Sequence, residues 1–514
     1  MTHNKTLLLL ASLLFACPMV FAQTTDNKFL TSEDVIELEL RHDLTQRNRL
    51  SGKFATVEDS YRTALLERFL AYTKIDSQSQ LDDSMDFPMN DNLRRTAALL
   101  YQEIQLFAKP AGWKTHLSEN QYIYVYIPSN IKKQVPVLGF SAHYDTTPDI
   151  PGSGIKARVI KNYDGGDVVI NQEKNIIINP QNEPYLANVI GQTIVVSDGN
   201  TMLSADDKAG VATVVTAMQT LAENPNIKHG PIQVVITPNE DIGMAGEGLD
   251  MDLYYPEIPF DFDAGVNGEV IVANFSAYGA LVKIHGVNGH QSYAATNGYR
   301  NATIAAAAII NDMVPLEDLP NYSTGEDGYI EPHHTTYDAQ NNTVTVDFRL
   351  RFFDPKQGEA WFKRLDQAVA DAAQKYDVKI EKQVVKQYTN VADGMHPAAQ
   401  ELVGKALKAA GVEPKFLKER AGTGPAMFAK RDICLGAPCL PTGQNNPHSF
   451  KEWLSEKDLF ISYKAALNLV KFVQDVPSVP QRAQKTQQRA EAAKAKLLNA
   501  LKKDQKVQSI IKGK

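Results

Sequence analysis

A chain of 514 residues, 43% hydrophobic and 22% charged, has the composition of a globular protein that folds by itself. Single cores stop growing at roughly 250–300 residues, which excludes one compact domain. The chain carries no low-complexity composition and no obvious internal repeat, and its formal charge of −7 conceals a basic end.

The first segment follows secretory logic. Met1–Lys5 is positively charged, Leu7–Phe15 is apolar, and Val20, Phe21 and Ala22 offer cleavage positions before Gln23. Removal of residues 1–22 and a periplasmic or secreted location are expected. The apolar run is shorter than the roughly 20 residues of a membrane span, and no later run is long enough, so no stable membrane insertion is expected. Cys17 raises lipid attachment as an alternative, which Phe15 two residues earlier disfavours.

Ser60–Thr73 and Asn92–Phe107 have helical apolar spacing, and Tyr122–Ile127 reads as a strand. The apolar run Val135–Phe140 leads into S-A-H-Y-D-T-T-P-D, so His143 and Asp145 emerge where a buried strand would end. Active sites of open α/β sheets lie at such ends. L-S-A-D-D-K-A-G, Leu203–Gly210, precedes Ala209–Leu221, where Val211, Val214, Val215, Met218 and Leu221 mark a one-faced amphipathic helix. Ile232–Thr237, a further strand, leads into I-T-P-N-E-D-I-G with the paired acids Glu240 and Asp241, and F-D-F-D-A-G carries Asp263. This alternation predicts a mixed, mostly parallel sheet sandwiched by helices.

From about Ser276 the texture changes. Ala280–Val287 reads as strand, Asn301–Met313 as helix, His333–Tyr337 and Thr343–Phe352 as strands, Gln357–Lys375 as helix and Val378–Lys386 as strand. This β-α-β-β-α-β order predicts an inserted smaller α+β domain. From Gly394 to Val473 the α/β texture resumes and brings His448, in N-N-P-H-S-F-K-E-W, back toward the first domain. The expected division is 1–22 signal peptide, 23–275 and 394–476 catalytic domain, 276–393 inserted lid or dimerisation domain, and 477–514 basic tail. After cleavage Cys434 and Cys439 remain, which read equally as a small disulfide loop and as two buried thiols. The tail from Gln481 reads as a solvated helix or frayed end; no function is assigned to it, and no nucleic-acid partner is expected.

Amide hydrolysis at neutral pH needs a nucleophilic water, a polarised carbonyl and a base for the proton. Two metal ions supply the first two as Lewis acids. A carboxylate suits the position between them, because each of its oxygens can bind one ion, and histidine with further carboxylates completes donor sets typical of zinc. Taken singly, Asp206 also reads as a helix cap, the Glu240–Asp241 pair as solvated acids, and Asp263 or His448 as structural residues. Together His143, Asp206, Asp241, Asp263 and His448 point to a two-metal hydrolytic site.

As an ordered set these motifs resemble the peptidase T group, tripeptide aminopeptidases within the two-zinc exopeptidases. H-Y-D-T-T-P-D, G-Q-T-I-V-V-S-D-G at Gly191–Gly199 and A-D-D-K-A-G at Ala205–Gly210 carry the resemblance, which runs from about Phe54 to Val473. It implies that His143 and Asp263 serve one metal, Asp241 and His448 the other, and Asp206 both. It implies that Asp145 orients His143, that Glu240 is the general base, and that the Asp206–Asp207 peptide is cis. His290, in G-V-N-G-H-Q-S, matches a histidine that stabilises the oxyanion, and Arg351, in R-F-F-D, one that holds a substrate carboxylate. Two Zn2+ are implied, with Mn2+ or Co2+ as substitutes, together with short-peptide substrates and a homodimer through the inserted domain.

This chain departs from that pattern at Asn239-Glu240-Asp241, where the group has D-E-E. It departs also at Arg420–Pro425, where R-G-G-T-D-G loses its acid, and at the His-Gln-Ser that replaces histidine-proline-glycine. A dipeptidase, a carboxypeptidase or an N-acyl amino acid deacylase on the same scaffold is the rival enzyme. A silent peptide- or metal-binding protein is the rival of another class.

Overall fold

The computed structural model describes residues 57–81, 87–266 and 268–492. The expected signal segment, Cys17 and the far end of the basic tail lie outside the described residues. Helix α1 (Val57–Thr73) buries Tyr61, Leu65, Phe69 and Tyr72 at helical spacing. Helix α2 (Asp91–Ala108) is capped by Asn90, whose side chain accepts from the Leu93 amide at 2.8 Å. Strands β1 (Lys114–Leu117), β2 (Ile123–Ile127) and β3 (Leu138–His143) follow, then the short strands β4 (Arg158–Ile160), β5 (Val168–Asn171), β6 (Ile176–Ile178) and β7 (Ile194–Val196). Helix α3 (Ala205–Glu223) and strands β8 (Ile232–Thr237), β9 (Ile258–Ala264) and β10 (Glu269–Asn274) complete the first part of the large domain.

The chain then leaves it. Strand β11 (Ser276–His285), helix α4 (Ala302–Met313), strands β12 (Tyr329–Asp338) and β13 (Thr343–Phe352), helix α5 (Pro355–Tyr376) and strand β14 (Lys379–Tyr388) form an antiparallel sheet in the order β12-β13-β11-β14. Val282, Ile284, Phe348 and Leu350 of this sheet share a core with Ile309, Trp361 and Leu365 of its helices. Return to the large domain brings α6 (Ala399–Ala410), β15 (Lys415–Glu419), α7 (Gly424–Arg431), β16 (Cys439–Pro441), β17 (Gln444–Asn445), β18 (Trp453–Ser455) and α8 (Glu456–Phe472). A last helix, α9, covers 480–492.

The large sheet runs β1-β2-β8-β3-β9-β16-β10-β15. Strands β8, β3, β9 and β16 are parallel, with antiparallel β2 and β10 on either side. Every residue of β3 and β8 is buried, as central parallel strands covered on both faces require. The mixed, mostly parallel sheet expected from the sequence is the one observed.

Helix α3 differs from expectation. It is buried almost all round, because α1, α2 and α8 cover the side turned away from β3 and β9. Its polar residues survive burial by being bonded: Arg68 donates to Thr216 Oγ1 and Gln219 Oε1 at 2.6 Å each, and Thr220 meets the Tyr463 hydroxyl at 2.9 Å.

The two crossings between the domains lie side by side. The Asn274 amide donates to Asn390 Oδ1 at 3.1 Å, and the Val391 amide donates to Asn274 Oδ1 at 2.8 Å. Arg420 adds a clasp, donating to the Gly325 and Asp327 carbonyls and to Ser323 Oγ of the small domain while lying over the Phe275 ring.

Two features of the C-terminal part correct the sequence reading. Cys434 and Cys439 are both free, so the disulfide alternative fails; Cys439 is buried and donates to Asp261 Oδ2 at 3.2 Å. Helix α9 is docked rather than solvated. Arg482 donates to the carbonyls of Glu257, Cys434 and Gly394, Lys485 pairs with Asp432, and Arg489 pairs with Asp252 over the Tyr255 ring.

Candidate active site

Residues from five chain segments meet at the carboxyl ends of the parallel strands, where an open α/β sheet leaves backbone and side chains free to face a ligand. His143 is the last residue of β3 and Asp263 the last but one of β9. Glu240 and Asp241 lie just past β8, and His448 sits in the loop after β17. Asp206, the second residue of α3, has φ −78 and ψ 110 instead of helical angles, and the Asp206–Asp207 peptide is cis. Ser204, Asn239 and His448 adopt left-handed backbone at φ 62, 59 and 55, so three of the loops that carry these side chains are sharply bent.

The two oxygens of Asp206 face opposite ways. Oδ1 lies 3.0 Å from His143 Nε2, and Oδ2 lies 3.4 Å from His448 Nε2. Asp263 Oδ2 is 3.6 Å from His143 Nε2, and Asp241 Oδ1 is 2.8 Å from His448 Nε2. Glu240 Oε2 stands 3.9 Å from His143 Nε2. Donor atoms of His143, Asp206 and Asp241 lie within 4.8 Å of one another, as do those of His143, Asp207 and Asp263. Asp207 is not free to bind a cation in the second group: its Oδ2 accepts from the His143 amide at 3.1 Å and its Oδ1 from the Gly210 amide at 3.0 Å. The two readings of the A-D-D-K segment are thus divided between neighbours, with Asp207 capping the helix and Asp206 facing the cleft.

Asp145 organises the centre from behind. It accepts from Ser79 Oγ at 2.7 Å and from the Glu240 and Asp241 amides at 3.0 and 3.2 Å, and its Oδ1 lies 3.3 Å from His143 Nδ1. One carboxylate therefore orients the imidazole and pins the loop that carries the base. Asn239 holds the same loop, donating to the Pro88 carbonyl at 2.6 Å. Glu452, a residue the sequence reading passed over, accepts from the Leu203, Ser204 and Asp206 amides at 2.6, 2.8 and 3.0 Å and so fixes the bend that presents Asp206. Gln444 donates to Asp263 Oδ1 at 3.2 Å.

Burial and crowding of like charges set the protonation. Burial pushes the carboxyls of Glu240 and Asp263 well above the usual range, with the Asp206 charge adding to it. Burial and Asp206 raise Asp241 to about 6. Burial also acts against ionised Asp206, but hydrogen bonds from His143 and His448 outweigh it and hold this carboxyl low. His448, bonded to Asp206 and Asp241, is raised to about 11.

A group of carboxylates gathered this closely calls for positive charge, and one buried oxygen, Asp241 Oδ2, has no hydrogen-bond partner. Imidazole nitrogen and carboxylate oxygen around an open cleft are the donors of a catalytic divalent-metal site. The residues present fit two such ions, with Asp206 between them.

The centre opens into a cleft of about 570 Å3 bordered by Asp206, Glu240, Asp263, Gly265, Gly422 and His448 among others. Arg351 lies one layer behind its wall. The guanidinium donates to the Tyr278 and Leu350 carbonyls and lies 5.5 Å from the Tyr388 ring, and a Cβ on Gly422 would stand 2.9 Å from that ring. His290 is exposed on the small domain, its Nδ1 accepting from the Ser292 amide and its ring 5.1 Å from Tyr293. Among the described residues, no hydrogen bond or ion pair joins His290 to the metal-ligand cluster.

The family model described as "Peptidase family M20/M25/M40" matches residues 203–471. Peptidase T of Geobacillus kaustophilus is 31% identical over 80% of this chain and 98% of its own length. Aminopeptidase PepT of Bacillus cereus aligns in structure with a TM-score of 0.60 at 21% identity, over 80% of this chain and 98% of that one. A dinuclear metal-binding peptidase of Bacillus subtilis from the M20 family aligns with a TM-score of 0.52 at 12% identity, over 82% of this chain and all 100% of that one. With the acid-rich centre at the strand ends, these matches place the chain in peptidase family M20/M25/M40, in its peptidase T group, as a metal-dependent exopeptidase.

Proposed function

We propose that the chain releases the N-terminal residue from tripeptides and other short peptides, outside the cytoplasm, with two zinc ions. One observation carries the reading most: the two oxygens of Asp206 are shared between His143 and His448, while Glu240 stands beside His143 and coordinates with neither histidine as a hydrogen-bond partner. Bound divalent ions, Zn2+ by the donor set with Mn2+ or Co2+ as substitutes, would polarise the scissile carbonyl and acidify water.

Glu240 takes the proton of that water and returns it to the leaving amine. Position suits it to the task, because its Oε2 stands 3.9 Å from His143 Nε2 at the rim of the cleft without joining either histidine by a hydrogen bond. Asp145 keeps His143 facing the cleft and holds Glu240 in register by bonding its amide. Thr423, Gly422 and Ala421 line one part of the cleft. Arg351, which lies behind the cleft wall, and His290 would reach the substrate carboxylate and the oxyanion only on closure of the small domain or, for His290, from a second copy of the chain paired through that domain.

Tripeptides with a blocked amine or an amidated carboxylate test the reading. Loss of cleavage on blocking the amine is expected. Robust cleavage of the amine-blocked set would sink the aminopeptidase assignment in favour of a deacylase or carboxypeptidase on the same scaffold.

A further inference from the structure

The α-amine of a peptide lies two bonds from the scissile carbonyl carbon. Whatever recognises it must therefore stand beside the metal ligands, and the described ligand set leaves no carboxylate over for that purpose. Two further acids line the cleft: Glu419, whose Oε1 accepts from the Arg420 amide at 2.7 Å, and Glu269, whose Oε2 takes part in no hydrogen bond or ion pair among the described residues. Glu269, the first residue of β10, directs Oε1 toward Lys415 Nζ at 3.9 Å and Oε2 toward Gly265, two residues beyond Asp263.

Gly265, Glu269 and Gln444 line the cleft together, and the Glu269 carboxylate packs directly over the glycine. A Cβ built on this glycine would lie 2.8 Å from Glu269 Oε2 and 4.0 Å from the Gln444 carbonyl oxygen. Gln444 supplies an independent sign of a missing partner. It is 5% exposed, it lines the cleft, and its amide donates to Asp263 Oδ1, yet its buried Oε1 has no hydrogen-bond partner.

We infer that the cleft wall at Gly265 binds the substrate's α-ammonium group, with Glu269 as its counter-ion and the Gln444 backbone carbonyl as a second acceptor. This rests on the aminopeptidase reading above and names the residues that make it selective for a free amine. An ammonium fits the chemistry, since it offers three donors and one positive charge and no acceptor. Glycine at 265 leaves room for the Glu269 carboxylate.

The test compares alanyl-alanyl-alanine as substrate with propionyl-alanyl-alanine, its counterpart without the amine, as competitive inhibitor. Both are measured on the metal-loaded full chain, with metal content determined by mass spectrometry. A hydrogen-bonded ion pair to a charged group predicts that Glu269→Gln raises KM for the tripeptide about 10- to 100-fold. The same variant should leave kcat within about threefold, metal content unchanged, and the inhibition constant of the propionyl peptide unmoved. Gly265→Ala should reproduce the pattern by crowding Glu269. Equal weakening of both peptides, or no weakening of either, overturns the inference. So does an effect confined to peptides beginning with lysine, which would make this part of the cleft a side-chain pocket. Wild-type enzyme that cleaves the propionyl peptide as fast as the tripeptide refutes the aminopeptidase reading itself, a result distinct from the others.

Discussion

The two halves of the metal centre are built differently. His143 and Asp263 end strands of the central sheet; the His143 side chain is 3% exposed, and its second nitrogen faces Asp145. Asp241 and His448 come from loops, His448 at a left-handed backbone angle and with 41% of its side chain exposed. The strand-borne half is preorganised by the sheet and by Asp145 behind it; in the loop-borne half Asp145 and Asn239 pin the Asp241 loop, and His448 is the exposed member, held by its contacts with Asp206 and Asp241. Folding therefore fixes every ligand but His448, whose placement ion binding is expected to complete.

The largest effect separates chemistry from both halves. Glu240→Gln should lower kcat about 100- to 10,000-fold with both metals retained, as loss of a general base does. Turnover unchanged in that variant would refute its role. Next, removing one histidine from each half should reveal their difference in metal-free protein. His143→Ala strands buried carboxylates and should cost about 3 kcal/mol, against about 1 kcal/mol for the more exposed His448→Ala. Denaturant unfolding after chelation measures both, and equal losses would break the comparison.

A subtler change sharpens it. Asp241→Glu lengthens a side chain whose oxygen already sits 2.8 Å from His448, in a position only 4% exposed. Overshoot should weaken one of the two metals about tenfold and leave the other unaffected, read by calorimetric titration. Tighter binding instead would mean that the shorter acid is a handicap.

The last effect lies away from both halves. Burial lowers the His396 pKa to about 4, with the Arg482 charge adding to it. The unfolded chain takes up this proton near pH 6.5 and the folded one only near 4, so stability falls as pH drops from about 6.5 to about 4. His396→Gln should flatten that stretch of the stability curve by about 1–2 kcal/mol, allowing for solvent screening. A curve that keeps its slope would locate the acid sensitivity in the metal centre.

How much of this was legible in the sequence follows from where each residue sits. His143 ends an apolar run and Glu240 and Asp241 come just after another, both of which must be buried strands, so their position at strand ends could be read before any coordinates. Asp263, inside F-D-F-D-A-G, carried no such signal. Asp206 was ambiguous because acids also cap helices, and the structure shows both roles in adjacent residues. Glu452, Ser79 and Gln444 could not be found that way, since each acts across a long sequence distance and none interrupts a periodic pattern. Glu452 left one trace, an acid against the apolar Trp453 and Leu454, which is a poor place for a solvated charge. The all-round burial of α3 was hidden for a related reason: threonine and glutamine read as a wet face, and only Arg68 and Tyr463, from distant helices, make them dry.

The docked helix α9 has a practical consequence for anyone trimming this protein. A boundary drawn after Asp475, where α8 and its final turn end, would look natural by composition. It would remove Arg482 and with it the shared donor of three carbonyls on three separate segments, Glu257, Gly394 and Cys434. Shortened versions should end no earlier than residue 492, and a purification handle belongs beyond that point.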